Sequence, residues 1–294
     1  MAKGTMMNKA VSFDKIFQQA VSAVDAGDEE TLKELLDTHP ELATERLHSP
    51  GEWVTSVIGD ALKGFFKDPY LLWFVSEDAV RNGKLPKNIA RIASLIIQKA
   101  RSQNTTNLQE QLDYGLRLVA WSGVARDQGV QIELLDVFID AGAHTNTVSN
   151  DALVNGNFDA ASHMIAHGAK LTLSTALCLE KWDEADKLAA DATGDEKQFS
   201  LVLAALNGRA NAVAKAISYG ADISKPSDHL YSHATPLHHA VSSGSLDTVK
   251  VLINAGADLN ATDTAWNGTP LGWALYGNRK EIVEYLKDLG KNKK

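Results

Sequence analysis

The chain repeats itself. Thr235-Pro236-Leu237-His238-His239-Ala240 returns as Thr269-Pro270-Leu271-Gly272-Trp273-Ala274, so the motif recurs from 235 to 269, a period of 34 residues. A short fixed period constrains the fold more than any other feature, because such a unit cannot bury an apolar face alone and must stack on copies of itself. Each part of the motif has a physical task. The Thr caps a helix, the Pro fits a first turn where its missing N–H costs nothing, and the small Ala lets the helix lie close to its neighbours. Gly244 ends that helix, and Gly256, followed by Ala257, supplies a left-handed cap to a second one.

With Ala240-Val241 as a ruler, small apolar pairs of the same character recur at Ala23-Val24, Ala61-Leu62, Val119-Ala120, Ala152-Leu153, Ala176-Leu177, Ala204-Ala205 and Ala274-Leu275. Second helices follow in phase. Residues 31–36 align with 248–253 and put apolar side chains three and four apart, on one helical face. Glycines that should end these helices stand at Gly142, Gly168, Gly220, Gly256 and Gly290, the first four each followed by Ala.

The signature T-P-L-H-x-A on this period resembles the ankyrin repeat. The reading is therefore all-α: an ankyrin-type α-solenoid of about eight helix-turn-helix units with degenerate N-terminal repeats and one helical insertion, forming a single elongated domain over 1–294. Residues 13–64 hold N-terminal repeats, 65–88 the insertion, 89–234 degenerate repeats, 235–290 the best-matched repeats and 291–294 a basic tail. The structural motif is carried by Thr235, Pro236, Leu237, His238, Ala240 and Gly244, and again by Thr269, Pro270, Leu271 and Ala274. Within 65–88, Asp68-Pro69 marks a helix start and Asn82-Gly83 a stop, which predicts an extra helix between the two helices of the second unit. It serves either to pack on the convex side or to dock a partner. Long connectors at 222–234 and 261–268 predict projecting loops.

Composition narrows the function. A net charge of −8 gives no electrostatic footprint for nucleic acid, so none is expected as a partner. The single cysteine, Cys178, excludes an internal disulfide and fits a reducing cytoplasm. The first residues lack the apolar core of a signal peptide, and the apolar run at 70–75 is too short to span a bilayer, so no membrane association is expected. There is no G-x-S-x-G, H-E-x-x-H, G-x-x-x-x-G-K or G-x-G-x-x-G, and the expectation is a chain that is not an enzyme, with no catalytic residue, no cofactor and no metal.

Three features have to be weighed against that exclusion. His238 and His239 invite a catalytic reading, but adjacent helical positions point about 100° apart and do not share a ligand easily. The family resemblance instead implies that His238 makes structural hydrogen bonds among neighbouring loops, a bond that Gly272 cannot repeat. Asp228, His229 and His233 offer a metal-binding spacing in a loop, without a second shell to support it. Cys178 is read as a small apolar packer rather than a nucleophile.

The family resemblance also implies a protein-interaction module acting as a monomer, with a concave groove. Directly after each small pair, the first helices place Asp25, Lys63, Trp121, Val154, Cys178, Leu206, Ser242 and Tyr276 along that groove, unless neighbouring helices cover the apolar ones. Large aromatics with a polar edge dominate binding energies at interfaces, so Trp121, Tyr231, Trp266 and Tyr276 are the candidate partner-binding residues. Trp273, next to Ala274, reads as core. The leading expectation is a non-catalytic scaffold that binds a protein partner through the groove and the C-terminal loops. A secreted bacterial effector or toxin-neutralising partner is the alternative, and a metal-binding protein or enzyme using Asp228, His229 and His233 is the remote one.

Overall fold

A computed structural model describes residues 2–58, 67–76, 83–146 and 148–291. All regular elements among them are helices. They fall into two compact units, one formed by 1–152 with 163–169 and the other by 153–162 with 170–294.

In the first unit, α1 (Ala2–Ala26) and α2 (Glu29–Thr38) form a hairpin, and α3 (Glu52–Ile58) follows after a loop. Asp28 caps α2 by accepting from the Thr31 amide at 3.0 Å. Next come α4 (Ile89–Ser102), α5 (Leu108–Trp121), α6 (Gly123–Asp127) and α7 (Gln131–Asp140). The stretch read as an inserted helix turns out differently. Its described part is a short 3-10 helix, Leu71–Val75, whose five side chains are all buried. It packs between α1 and α5, while α4 packs between α2 and α7. The 3-10 helix thus takes the place of an inner helix and α4 is its outer partner. The small pair chosen for this unit, Ala61-Leu62, lies outside the described residues, as do Lys63, 65–66, 77–82 and the tail residues 292–294. Burial of Leu71, Leu72, Trp73 and Phe74 removes them from any docking surface; Trp73 is fixed by its indole N–H donating to the Gln111 carbonyl at 3.2 Å.

Two short helices, α8 (Val148–Val154) and α9 (Phe158–Ala166), are divided between the units. The second unit continues with α10 (Leu173–Cys178), α11 (Trp182–Asp191), α12 (Gly194–Leu206), α13 (Ala210–Ser218), α14 (Pro236–Ser243), α15 (Leu246–Asn254), α16 (Pro270–Tyr276) and α17 (Lys280–Lys291). First helices stack on first helices, α10 on α12, α12 on α14 and α14 on α16, and the outer helices α13, α15 and α17 stack likewise. With neighbours on both flanks, α12 buries six consecutive residues, 200–205, which abolishes the one-sided apolar stripe of a surface helix. A capping box holds its start, Thr193 and Glu196 each satisfying the other's backbone amide.

The Gly-Ala pairs explain how four of the outer helices stop. Gly142, Gly168, Gly220 and Gly256 all have positive φ, between 89° and 99°. The amide of the following Ala then reaches back to the carbonyl five residues earlier: Ala143 to Phe138 at 3.0 Å, Ala169 to Met164 at 2.9 Å, Ala221 to Ala216 at 3.2 Å and Ala257 to Leu252 at 3.0 Å. This is the Schellman arrangement, in which a residue without Cβ takes the left-handed position. Gly290 is an exception to the sequence reading. It lies inside α17, which runs on to Lys291, where a basic side chain favours the carbonyl end of the helix.

Candidate interaction surface

The two long connectors of the second unit are built around one carboxylate. Asp263 is almost completely buried, yet its oxygens accept from the amides of Ala265 at 2.9 Å, Trp266 at 2.7 Å and Gly268 at 2.8 Å, and from the Trp273 indole at 2.9 Å. Burial pulls its pKa up, but these N–H donors outweigh it and hold the group down at about 2. The loop is therefore folded around an anion. Its neighbour is tied to it through backbone, the Thr264 amide donating to the His233 carbonyl at 2.8 Å. The same trio of Asp, Gly amide and Trp indole recurs in the first unit, where Asp14 accepts from Gly51 at 2.8 Å and from Trp53 at 3.0 Å.

His238 completes the frame as the resemblance implied. Its Nδ1 lies 2.8 Å from the Thr235 hydroxyl and its Nε2 3.0 Å from the Gly268 carbonyl. Burial lowers its pKa, consistent with a neutral ring donating through Nε2–H. At the equivalent place in the next unit Gly272 has no side chain, and the Thr269 hydroxyl caps the Gly272 amide instead at 3.1 Å. His239 is also buried; desolvation pushes its pKa down to about 4.

Around this frame lies a cluster of rings. Trp273 contacts the rings of His233 at 6.0 Å, His238 at 5.2 Å, His239 at 6.3 Å and Trp266 at 6.1 Å. Tyr231 rests on His233 at 6.3 Å and on His239 at 5.9 Å, and His233 meets Trp266 edge-on at 5.1 Å. Tyr231 and Trp266 are thus brought together through a shared histidine. Tyr276 stands on α16 three residues beyond Trp273, one turn along the same helix. Trp121 belongs to the other unit and is half-buried at the end of α5.

Exposure concentrates here. Tyr231 is 46% exposed, Trp266 71%, Leu275 55% and Tyr276 97%; elsewhere among the described residues only Ile132 is a comparably exposed large apolar side chain. Leu275, placed in a buried small step by the ruler, is the one pair member of the second unit left open; α16 packs chiefly against α14 and α17. Trp273 is half-buried and serves as the hub of the cluster.

The family model described as ankyrin repeats (3 copies) matches residues 164–263 and 201–294. Across residues 164–294 the chain carries ankyrin repeats. Its fold is accordingly the all-α ankyrin solenoid, and the class is one of protein–protein interaction modules. Curated relatives share only pieces. The chain is similar to the serine/threonine-protein kinase VIK of Arabidopsis thaliana, 43% identical over 60 residues, 20% of this chain and 14% of the relative. It is similar to the potassium channel KOR1 of Oryza sativa subsp. japonica, 35% identical over 86 residues, 29% of this chain and 10% of the relative. It is also similar to the protein phosphatase 1 regulatory subunit 27 of Mus musculus, 46% identical over 55 residues, 18% of this chain and 34% of the relative. In each case the matched part is about a third of the relative's length or less.

Three other expectations meet the geometry. Cys178, placed on the groove by the ruler, is fully buried between α10 and its neighbours, and desolvation pushes its thiol up to about 12, so it faces no groove and offers no thiolate. Asp228 and His229 are exposed at a loop tip, whereas His233 is turned onto Trp266 and Trp273, which takes it out of the metal-binding trio. A different trio converges, Asp136, His163 and His167, which the sequence reading passed over. Its signal was the four-residue spacing of two histidines on one helical face. No helix among the described residues is long and apolar enough to cross a membrane.

Proposed function

We propose that this protein is a non-catalytic scaffold that captures a protein partner on the loop face of its C-terminal repeats. Trp266, Tyr231 and Tyr276 are the anchors, Leu275 extends the apolar surface, and Trp121 is a further contact on the inner side of the first unit. One observation carries the reading: Tyr231 and Trp266 stand exposed on loops whose backbone is tied down by Asp263 and His238, and Leu275 and Tyr276 stand exposed on the adjoining helix α16. A preformed surface loses little freedom on binding, and solvent-facing aromatics on rigid supports are the residues whose truncation weakens complexes most. The likeness to a chain named as a phosphatase regulatory subunit supports an adaptor role. With one buried thiol, the protein is suited to a reducing cytoplasm, where it would act as a monomer.

The test is affinity capture from cytosol with mass-spectrometric identification, comparing the natural chain with Trp266→Ala/Tyr276→Ala. The expected outcome is loss of one specific partner with the circular dichroism spectrum unchanged. Equal recovery of that partner by both chains would refute the surface.

A further inference from the structure

His163 in α9 and His167 just past its end are spaced one turn apart. The rings of His163 and His167 lie over one another with centroids 4.2 Å apart. Asp136, on α7, faces them, its Oδ1 2.6 Å from His163 Nε2. Counting one ligand atom from each residue, the three lie within 4.8 Å of one another.

The surrounding hydrogen bond prepares the second ring. His167 Nδ1 lies 2.9 Å from the carbonyl oxygen of His163. A carbonyl only accepts, so Nδ1 carries the proton and Nε2 is left with a bare lone pair. That is the outer contact which orients metal-binding imidazoles and sets their tautomer. Both rings also sit at the C-terminal end of α9, where the peptide dipoles favour a cation. The His163 side chain is 19% exposed and that of Asp136 45%, so the site is anchored on one side and open to water on the other.

We propose that Asp136, His163 and His167 bind one Zn²⁺ ion, with water completing a tetrahedral shell. Two imidazoles and one carboxylate suit a borderline ion of the zinc class and not Ca²⁺ or Mg²⁺, which take all-oxygen shells. The ion replaces the proton held between His163 Nε2 and Asp136 Oδ1. At ordinary zinc distances those atoms separate to about 3.3 Å. Bound there, the ion links α7 to α9 across 27 residues of chain and stabilises the fold, since the unfolded chain does not hold the three ligands together.

The experiment is calorimetric titration of the EDTA-treated full chain with ZnCl₂, alongside melting curves. One equivalent is expected to bind, to raise the melting temperature, and to weaken at least about tenfold in His167→Ala, in keeping with loss of a ligand. His167 is exposed, and the variant's circular dichroism and melting temperature in EDTA should match those of the natural chain. Asp228→Ala/His229→Ala should leave the titration unchanged, and MgCl₂ should produce no shift. Absence of zinc binding, equal affinity in His167→Ala, or loss in the Asp228/His229 variant instead would each overturn the assignment.

Discussion

His238 Nε2 lies 3.0 Å from the Gly268 carbonyl, thirty residues further along the chain, while its Nδ1 lies 2.8 Å from the Thr235 hydroxyl. One neutral ring thus joins the head of a repeat to the tip of the next loop. Removing it takes a partner from the part-buried Thr235 hydroxyl, leaves the Gly268 carbonyl with the Asp263 amide alone, and opens a cavity. His238→Ala should destabilise the chain by about 2–4 kcal/mol, read as a lower urea midpoint. An unchanged midpoint would mean that the link carries no stability.

Asp263 should give the protein a distinctive acid limb. Its folded pKa, about 2, is below the unfolded value of about 3.9. The unfolded state therefore takes up the proton first, so the stabilisation is complete above about pH 4 and is lost as the pH falls towards 2. Asp263→Asn should lower stability at neutral pH, where an amide cannot accept from all four N–H donors, and should flatten that limb. Parallel urea titrations of the two proteins from pH 5 to pH 2 decide it, and parallel curves would contradict the assignment.

His239 acts in a higher window. Burial holds its pKa near 4 against about 6.5 unfolded, and its Nε2 has no hydrogen-bond partner among the described residues. The unfolded chain binds the proton more readily, so stability falls as the pH drops from about 6.5 to 4. His239→Leu should be close to neutral in stability at pH 7.5 and should reduce the loss seen at pH 5. The readout is the difference in melting temperature between those two conditions.

Gly115 sets packing against helix propensity. An interior helical glycine replaced by alanine ordinarily gains about 1 kcal/mol. Here the added Cβ would stand 2.4 Å from Cε1 of Phe138, a fully buried ring on α7. Gly115→Ala should therefore destabilise, by about 1–3 kcal/mol, with the sign read from denaturant unfolding.

Cys178 should be silent in the folded chain. With no exposed surface and its thiol pushed up to about 12, it should react with a maleimide only when the protein is unfolded by denaturant. Rapid labelling under native conditions would show that α10 opens.

The sequence made the second unit legible because its signals are local. Thr-Pro starts, Gly-Ala stops and small buried steps each act within a few residues, and α14, α15 and α16 follow them closely. Position 290 was misjudged because a glycine permits a stop without requiring one. The first unit was harder to read for a physical reason. Leu71–Val75 fills an inner-helix place without helical periodicity, and burial on all sides leaves no polar face to mark its register. At the candidate surface, aromatic type alone identified Tyr231, Trp266 and Tyr276. The roles of Asp263 and of the Asp136–His163–His167 trio depend on contacts between segments far apart in sequence, which no short pattern encodes.

The Gly-Ala stops have one more consequence. At 142, 168, 220 and 256 the chain leaves an outer helix through the same lock, with the same backbone angle and the same five-residue return bond. Such joints are interchangeable in shape, so a segment cut from one to another begins and ends in matching geometry. The protein is in this sense punctuated: whole repeats can be lost, gained or exchanged between these marks without a new connection having to be invented.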